Sequence, residues 1–300
     1  IPSSQNGAAP CALLKSLDEN RARLGNTYRE IQEQRASLPV TQQRAEILDM
    51  IQNNRVSIVS GATGSGKTTQ VPQFVLESLL ESDSDCDIVV TEPRRISAVS
   101  VAKRVSQEMG TQNPGSREGL VGYHVRLDRK AGPNTRLLYC TTGVLLRIMQ
   151  ADTSLSRISH VFIDEVHERA ADTDMLLLFV RRLVQTRPDI KVILMSATLD
   201  AQKFQAYFAK ATSDGFRLDV PYASVPGRTF PVTTFFLEDA VKQSNYVIEE
   251  DSEFAKRKDY NWNHMQVNIS QLGGKSKKED LTWGHEEAPT AWSDGEVVDE

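Results

Sequence analysis

Short apolar runs alternate with amphipathic segments along most of this 300-residue chain. The runs are rich in β-branched residues and scarcely alternate with polar ones, which is typical of strands that are buried on both faces. The segments between them repeat their apolar residues at helical spacing. This alternation predicts an α/β fold, in which a mostly parallel sheet is covered by helices on both faces. The predicted strands are Val56–Val59, Ile88–Val90, Leu137–Tyr139, Val161–Ile163, Val192–Met195 and, as a last candidate, Val232–Phe236. The predicted helices that follow the strands are Thr68–Leu80, Ser97–Met109, Val144–Gln150, Thr173–Gln185 and Ala201–Phe208.

The segment before the first predicted strand has a different character. Residues 1–10 are small and polar, and we expect them to be disordered. Apolar positions between Leu13 and Leu38 stand among many charges and predict an exposed helix, which Pro39 ends. Thr41–Asn53 is predicted as a second helix with Thr41 as its N-cap.

Charge is distributed unevenly along the chain. Residues 238–300 carry 15 acidic and 7 basic side chains, whereas residues 1–237 carry 25 acidic and 28 basic ones. Beyond Asp251 the apolar pattern fades, and residues 275–300 have no helical or strand period, which predicts a flexible linker, insertion or tail. We therefore expect three parts: a partly helical extension over residues 1–38, the α/β domain over residues 39–237, and a flexible acidic segment over residues 238–300.

Composition excludes several classes of protein. The apolar runs are far too short to span a bilayer, and no signal-peptide pattern opens the chain. Cys11, Cys86 and Cys140 lack the spacing of a metal site or a disulfide framework, which favours free thiols. We therefore expect an intracellular protein, cytoplasmic or nuclear, without a membrane partner. Its weak net charge does not exclude nucleic-acid binding, because a phosphate backbone responds to a local stripe of Arg and Lys.

A glycine-rich segment, GATGSGKT at residues 61–68, lies between a predicted strand and a predicted helix. In that position its glycines let the backbone wrap a phosphate closely, while consecutive N–H groups and the helix N-terminus supply positive potential. We expect Lys67 to neutralise the β- and γ-phosphates and Thr68 to place its hydroxyl on Mg²⁺. A merely glycine-rich turn is the alternative. The candidate nucleotide-binding residues are Gly61, Ala62, Thr63, Gly64, Ser65, Gly66, Lys67, Thr68 and Thr69.

An acidic pair, Asp164 and Glu165, directly follows the buried run His160–Ile163. Ligands of open α/β sheets bind at the carboxyl ends of the strands, which is where this pair lies. Asp164 is predicted to hold Mg²⁺, and Glu165 is placed to orient or deprotonate an attacking water, beside the same metal. By itself such a pair more commonly caps the start of a helix, but its position at a strand end, about a hundred residues after the glycine-rich segment, favours the metal site.

Three further segments stand in order with these two: TEPRRISA at 91–98, TTG at 141–143 and SAT at 196–198. Paired arginines after a strand suit phosphate recognition, and threonine hydroxyls beside a glycine suit contact with a sugar-phosphate backbone. Alternatively, Arg94 and Arg95 are solvated charges, and SAT is a strand end that caps a helix. His167 lacks a second His or Cys at ligand spacing, which favours a coupling or core role over a metal ligand.

Together the segments GATGSGKTTQ, TEPRRISA, TTG, DEVHER and SATLD resemble those of DEAH/RHA (DExH-box) helicases of superfamily 2. The resemblance covers residues from about 38 to 237 and concerns the first RecA-like P-loop NTPase domain of that family. DEVH, PRRISA and the later PGRTFPV (226–232) distinguish this group from DEAD-box relatives. The resemblance implies an NTP-dependent RNA helicase that binds ATP or another NTP with Mg²⁺, and RNA as its partner.

The resemblance also implies roles for individual residues. His167, Ser196 and Thr198 would link the nucleotide site to movement on RNA, alongside Lys67 and the acidic pair in catalysis. Arg104 would lie against the nucleotide base, and GYHVRLD (122–128) resembles a hook turn that carries Arg126. The implied RNA contacts are Arg94, Arg95, Arg126, Thr141, Thr142 and Gly143.

Members of this family have a second RecA-like domain with an arginine-rich segment, and no such string occurs in this sequence. The chain also begins with Ile1 rather than Met. We therefore expect an N-terminal portion of a helicase that lacks its own second RecA-like domain. Hydrolysis by this portion alone is expected to be slow, because an arginine finger is worth about 10³–10⁵ in rate.

Two other interpretations stay open from the sequence. A nucleotide kinase would need a phosphate-acceptor pocket and an arginine-rich lid, and neither is recognisable in the sequence. A truncated, non-catalytic module that binds nucleotide or RNA would agree with the missing arginines. RNA rather than DNA rests on the family resemblance alone, because no feature that reads a 2′-hydroxyl is identifiable.

Overall fold

The computed structural model describes residues 9–84, 86–111, 113–197, 201–209, 218–227 and 232–244. Within these ranges the strands form one eight-stranded sheet in the order β4-β3-β5-β2-β6-β7-β1-β8. All neighbouring strands pair in parallel except β3 and β4, which form an antiparallel hairpin. The strands are β1 (Val56–Gly61), β2 (Ile88–Glu92), β3 (Val121–Val125), β4 (Asp128–Lys130), β5 (Leu137–Thr141), β6 (His160–Ile163), β7 (Lys191–Ser196) and β8 (Tyr222–Val225).

Helices precede the sheet and connect its parallel strands. The expected alternation of strands and helices is confirmed, because five predicted strands and the five predicted helices are present within a few residues of their expected ends. The helices are α1 (Pro10–Leu24), α2 (Asn26–Ala36), α3 (Arg44–Asn53), α4 (Lys67–Glu81), α5 (Arg95–Glu108), α6 (Thr142–Ala151), α7 (Ala171–Thr186), α8 (Ala201–Ala209) and α9 (Leu237–Ser244).

Two hydrophobic cores lie on opposite faces of the sheet. One contains Val59 of β1 and side chains from α1, α3, α4 and α5, whereas the other contains Ile58 and side chains from α6, α7 and α8. Neighbouring residues of a strand point to opposite faces, so β1 contributes to both cores. Every residue of β1, β2 and β6 is buried, which explains why these runs lack polar alternation.

Three strand predictions differ from the structure. The hairpin β3–β4 was not predicted, because β4 consists of the exposed residues Asp128–Lys130 and carries no apolar signal. Strand β8 lies at the sheet edge and was missed as well. The predicted strand Val232–Phe236 is wrong: these residues have no regular structure, and α9 begins at Leu237. The Phe236 backbone N–H donates a hydrogen bond to the Asp239 carboxylate at 2.9 Å, at the start of that helix.

The segment before the first strand also departs from expectation. Gly25, at φ +54°, divides the predicted single helix into α1 and α2. Most residues of α1 and α2 are exposed or half-buried, as expected, but Leu13 and Leu17 are buried in the core that α4 shares. Helix α1 begins at Pro10, so the disorder expected for residues 1–10 is wrong at its last residue; residues 1–8 lie outside the described residues.

Thr41 is not a helix N-cap. It lies in a 3-10 turn, Pro39–Gln43, and its hydroxyl donates to the Arg35 carbonyl at 2.8 Å. Helix α3 begins three residues later, at Arg44. Ile47 and Ile51 lie on its apolar face and are buried. The turn thus ties the end of α2 to the beginning of the α/β domain.

Contacts within the chain define two compact units, Ile1–Pro231 and Val232–Glu300. The sheet and helices α1–α8 belong to the first unit, and α9 to the second. The expected flexible tail at residues 275–300 lies outside the described residues, and the three-part division stays a prediction. No helix in the described part of the chain is long and apolar enough to cross a membrane.

Stability is expected to depend on pH through His160, at the start of β6. Burial, with the nearby Lys191 ammonium, lowers the pKa of His160 from its usual 6.5 to about 4. The folded protein therefore keeps this ring neutral, whereas the unfolded chain takes up a proton below about pH 6.5. The stability that this difference contributes is present above about pH 6.5 and is lost progressively as the pH falls towards 4.

We predict that the free energy of unfolding, measured with urea, decreases more between pH 7.5 and 4.5 in the wild type than in His160→Gln. The difference between the two decreases should be about 2–3 kcal/mol. Equal decreases in the two proteins would show that the buried histidine titrates normally.

Candidate functional site

Most of the sequence-predicted site residues lie at one edge of the sheet. Strands β1, β2, β5, β6 and β7 are parallel, so their carboxyl ends meet at this edge. Strand β7 lies between β1 and β6 and pairs Ser60 with Ser196 and Leu194 with Ile163. The glycine-rich segment at residues 61–68, named the phosphate loop here for its predicted role, is therefore close in space to the SAT segment and the acidic pair. The residues at the strand ends are Gly61, Glu92, Thr141, Asp164 and Ser196.

The glycine-rich loop runs from the end of β1 into α4. Gly64 and Gly66 have φ of +81° and +93°, which side chains with a Cβ rarely adopt. A Cβ on Gly66 would also meet Leu38 at 3.0 Å and Val40 at 3.1 Å. The loop is therefore packed against the segment that precedes α3, and the Val40 N–H donates to the Ser65 carbonyl at 3.2 Å. Its backbone shape requires glycine where the sequence has it.

Lys67 is the first residue of α4 and is 7% exposed. Its ammonium donates to the Gly61 carbonyl, to the Ala62 carbonyl at 3.2 Å and to the Ser65 hydroxyl at 3.4 Å. Burial lowers the pKa of Lys67, while the carboxylates of Asp164 and Glu165 act in the opposite direction. The lysine is therefore a buried positive charge in the concavity of the loop.

Thr68 and Asp164 join the phosphate loop to the end of β6. The Thr68 hydroxyl donates to an Asp164 carboxylate oxygen at 2.5 Å, and Asp164 is 3% exposed. Two hard oxygen ligands converge there, which fits Mg²⁺, an ion that takes one or two carboxylates and completes its shell with water and phosphate. Among the described residues no group of three or more His, Cys, Asp or Glu forms a metal cage.

Glu165 directs its side chain towards the phosphate loop. Its backbone is left-handed, at φ +53°, and its N–H donates to the Asp164 carboxylate at 2.8 Å. The residue lines a pocket of about 310 Å³ together with Lys67 and Thr68. Burial, followed by the charge of Asp164, raises the pKa of Glu165. A carboxylate of raised basicity therefore faces the place where phosphates would lie.

His167 connects the acidic pair with the SAT segment. Its Nδ1 accepts the Ala197 N–H at 3.3 Å and lies 3.3 Å from a Glu165 carboxylate oxygen. One nitrogen cannot accept the first contact and donate in the second, so the Ala197 bond places the ring proton on Nε2. Ser196 is fully buried at the end of β7. Thr198 lies outside the described residues.

Glu92 is a third carboxyl at the site, and sequence reasoning missed it. It ends β2 beside Asp164, is 3% exposed and hydrogen-bonds the Asp164 side chain. Burial, followed by the charges of Asp164 and Glu165, raises the pKa of Glu92 to about 9. At pH 7 it is therefore protonated and donates to Asp164. Only the order of the strands, which places β2 next to β6, reveals this neighbour.

The 310 Å³ pocket continues from the phosphate loop to Arg104 on α5. Thr63, Gly64, Gly66 and Thr69 line it as predicted from the sequence, and Leu38 and Glu108 line it in addition. Arg104 donates from Nε to Glu108 at 2.6 Å. The structure thus places Arg104 at the end of the pocket that lies beyond the phosphate loop.

A separate groove of about 1070 Å³ runs along the same sheet edge. It brings together five of the six predicted RNA contacts: Arg95, Arg126, Thr141, Thr142 and Gly143. The sixth, Arg94, instead pairs with Glu168 of the DEVHER segment at 3.0 Å, on the exposed surface.

The groove also contains His124 and Arg147, which sequence reasoning missed. Arg147 lies four residues after Gly143 on α6, so helical spacing was the signal that places both on one face. His124 lies next to the hairpin turn, and burial lowers its pKa. At pH 7 the cationic side chains of the groove are therefore its arginines.

Comparison with known proteins agrees with this arrangement. A family model described as DEAD/DEAH box helicase matches residues 41–206. The chain is 44% identical over 255 residues to human ATP-dependent RNA helicase DHX29. The aligned residues make up 84% of this chain and 18% of the relative. It is 45% identical over 232 residues to the human putative ATP-dependent RNA helicase DHX57, covering 76% of the chain and 16% of the relative.

A plant relative, DExH-box ATP-dependent RNA helicase DExH4, chloroplastic, of Arabidopsis thaliana, is 38% identical over 285 residues, or 92% of this chain and 19% of the relative. The chain thus spans less than a fifth of the length of these relatives. The family match includes the phosphate loop, the acidic pair and the SAT segment, and the fold agrees with a RecA-like domain. The chain therefore belongs to the DEAD/DEAH box helicase family.

Proposed function

We propose that this chain binds a nucleoside triphosphate with Mg²⁺ at the phosphate loop and contributes to NTP hydrolysis that is coupled to RNA binding and unwinding. The observation that carries the proposal is the contact between Thr68 and Asp164, 2.5 Å long, beside Glu165. This contact joins the glycine-rich loop to the acidic pair, which supports a single site for the phosphates, the metal and the base. ATP is the nucleotide in the names of the relatives.

In this proposal the triphosphate lies along the loop from Gly61 to Thr69. Lys67 neutralises the β- and γ-phosphates, and Thr68 and Asp164 hold Mg²⁺, with Glu165 close to the ion. A magnesium ion held by Thr68 and Asp164 would supply positive charge that offsets the negative charge of the phosphates. The chain itself orients the phosphates through the N–H groups at the start of α4.

Glu165 is proposed as the general base that orients and deprotonates the attacking water. Its raised pKa suits this role, because a carboxylate of higher basicity accepts a proton more readily. Burial raises the pKa of Asp164, and Glu92 supports the pair by donating a hydrogen bond that, like the one from Thr68, acts in the opposite direction. Turnover is proposed to need arginines from a second RecA-like domain, as in the family that the sequence resembles.

RNA is proposed to lie in the groove, with its backbone against Arg95, Arg126 and the Thr141–Gly143 segment. Arg94 takes part by exchanging its exposed Glu168 partner for a phosphate, because such surface ion pairs contribute little stability. His167 couples the two sites: its ring contacts both Glu165 and the backbone that follows β7. Ser196 and Thr198 belong to the same coupling segment.

We predict that Lys67→Ala weakens ATP binding at least 30-fold, because removal of a buried charge partner costs about 2 kcal/mol or more. Isothermal titration calorimetry with ATP and Mg²⁺ measures the effect. Lys103→Ala, which removes an exposed lysine of α5, serves as the control and should bind ATP like the wild type. Unchanged affinity in Lys67→Ala would rule out the proposed site.

We predict that Glu165→Gln binds ATP as tightly as the wild type but, in the full-length protein with a second RecA-like domain, hydrolyses it about 10²–10⁴-fold more slowly, because the amide cannot accept the proton of water. Single-turnover hydrolysis with and without RNA measures this effect. Glu46→Gln, an exposed position on α3, is the control. Hydrolysis at the wild-type rate by Glu165→Gln would contradict its role as the base.

We predict that Arg126→Ala weakens the binding of single-stranded RNA regardless of its sequence, because the residue contacts phosphate rather than bases. The slope of log K against log salt should become shallower by about 0.7. Fluorescence anisotropy at several salt concentrations measures both changes. Arg157→Ala, an exposed arginine just before β6 at the opposite end of that strand, should leave both values unchanged.

A further inference from the structure

A buried polar network extends from the phosphate-loop helix to the N-terminal helices. Its centre is Glu108 on α5, which is 1% exposed. One Glu108 carboxylate oxygen accepts from the side-chain amides of Gln70 at 2.8 Å and Gln73 at 2.6 Å, both on α4. The other oxygen accepts from Arg104 Nε at 2.6 Å. A single carboxylate therefore ties Arg104 to the helix that begins at Lys67.

Helix α2 completes this network from outside the residues that the family model matches. Arg35, 7% exposed, donates to Gln70 at 2.8 Å and to Glu77 at 3.1 Å. Gln32 donates to the Glu108 backbone carbonyl at 3.1 Å. A buried guanidinium with several partners is strongly tied to its position, because each lost partner would leave buried polar atoms unsatisfied. The end of α2 is thus held against α4 and α5.

The next residue of α2 towards its N-terminus, Gln34, reaches Arg104 directly. Its side-chain oxygen accepts from Arg104 Nη2 at 3.3 Å. The guanidinium of Arg104 is therefore held at two points on its rim, by Glu108 at Nε and by Gln34 at Nη2. A planar group that is held at two rim atoms has a defined plane, while its faces stay available for stacking.

Arg104 and Leu38 line the same pocket as the phosphate loop. A nucleotide whose phosphates lie on Lys67 and Thr68 extends its ribose and base away from the start of α4. Within the described residues, the pocket continues in this direction to Arg104 and Leu38. The guanidinium plane and the leucine offer surfaces that any purine or pyrimidine fits, because stacking and apolar contact do not read hydrogen-bond patterns.

We propose that Gln34 is a positioning residue of the nucleotide site: with Glu108, it orients the Arg104 guanidinium as a wall for the nucleobase of the bound NTP. This inference rests on the proposed function, because it concerns the same nucleotide. It assigns to helix α2 a part in binding the base, whereas the phosphates are bound by the loop. Gln34 contacts the guanidinium and does not itself line the pocket, so it does not distinguish one nucleobase from another.

The test is isothermal titration calorimetry of the full 300-residue chain with ATP, GTP and inorganic tripolyphosphate, each with Mg²⁺. Gln34→Ala should raise the Kd of ATP and of GTP about threefold, as expected for the loss of one hydrogen bond, and leave the Kd of tripolyphosphate unchanged. Gln34→Glu keeps the acceptor and should bind all three like the wild type. Gln107→Ala, an exposed glutamine on α5, is the control.

A double-mutant cycle separates positioning from a general structural effect. In an Arg104→Ala background, Gln34→Ala should have no further effect on ATP affinity, because it acts only through the guanidinium. An equal loss in both backgrounds would overturn the proposal, as would a parallel loss of tripolyphosphate affinity or unchanged ATP affinity in Gln34→Ala. Failure of the proposed function is distinct: it would appear as ATP binding that Lys67→Ala leaves intact.

Discussion

The hydrogen bond between Thr68 and Asp164 links two parts of the chain that are 96 residues apart. It exists because parallel strands place their carboxyl ends at one edge of the sheet, with β7 between β1 and β6. The helices on both faces keep those strands buried, so the loop and the acid have little freedom to separate. The geometry of the proposed nucleotide site is therefore a property of the whole sheet rather than of either motif.

Electrostatics at this edge are balanced within a small volume. Glu92, Asp164 and Glu165 share it with a single buried lysine. Three ionised carboxylates would repel one another strongly at low solvent exposure, and the raised pKa of Glu92 relieves this by keeping that group neutral at pH 7. The Asp164 carboxyl thus has two hydrogen-bond donors, Thr68 and Glu92, which act against the effect of burial on its pKa.

The sequence predicted those features that local patterns determine. Buried strands, the phosphate loop and the acidic pair each have a signal within about ten residues, and the resemblance ordered them. Contacts between distant segments could not be predicted: Glu92 beside Asp164 depends on strand order, and Gln34 beside Arg104 depends on where α2 packs. The exposed strand β4 had no apolar signal. The site roles of individual residues stay predictions until variants are measured.

Leu13 and Leu17 are buried in the core that α4 shares, so the packed core includes residues that precede the family match. The family match begins at residue 41, yet α1 covers apolar surface of α4, and α2 supplies the Arg35 cation that Glu77 and Gln70 accept. A chain trimmed to the shared family region would expose that surface to water and remove the Arg35 donor from the buried Gln70 side chain. The residues that the family model matches are thus fewer than the residues that share the core of this chain.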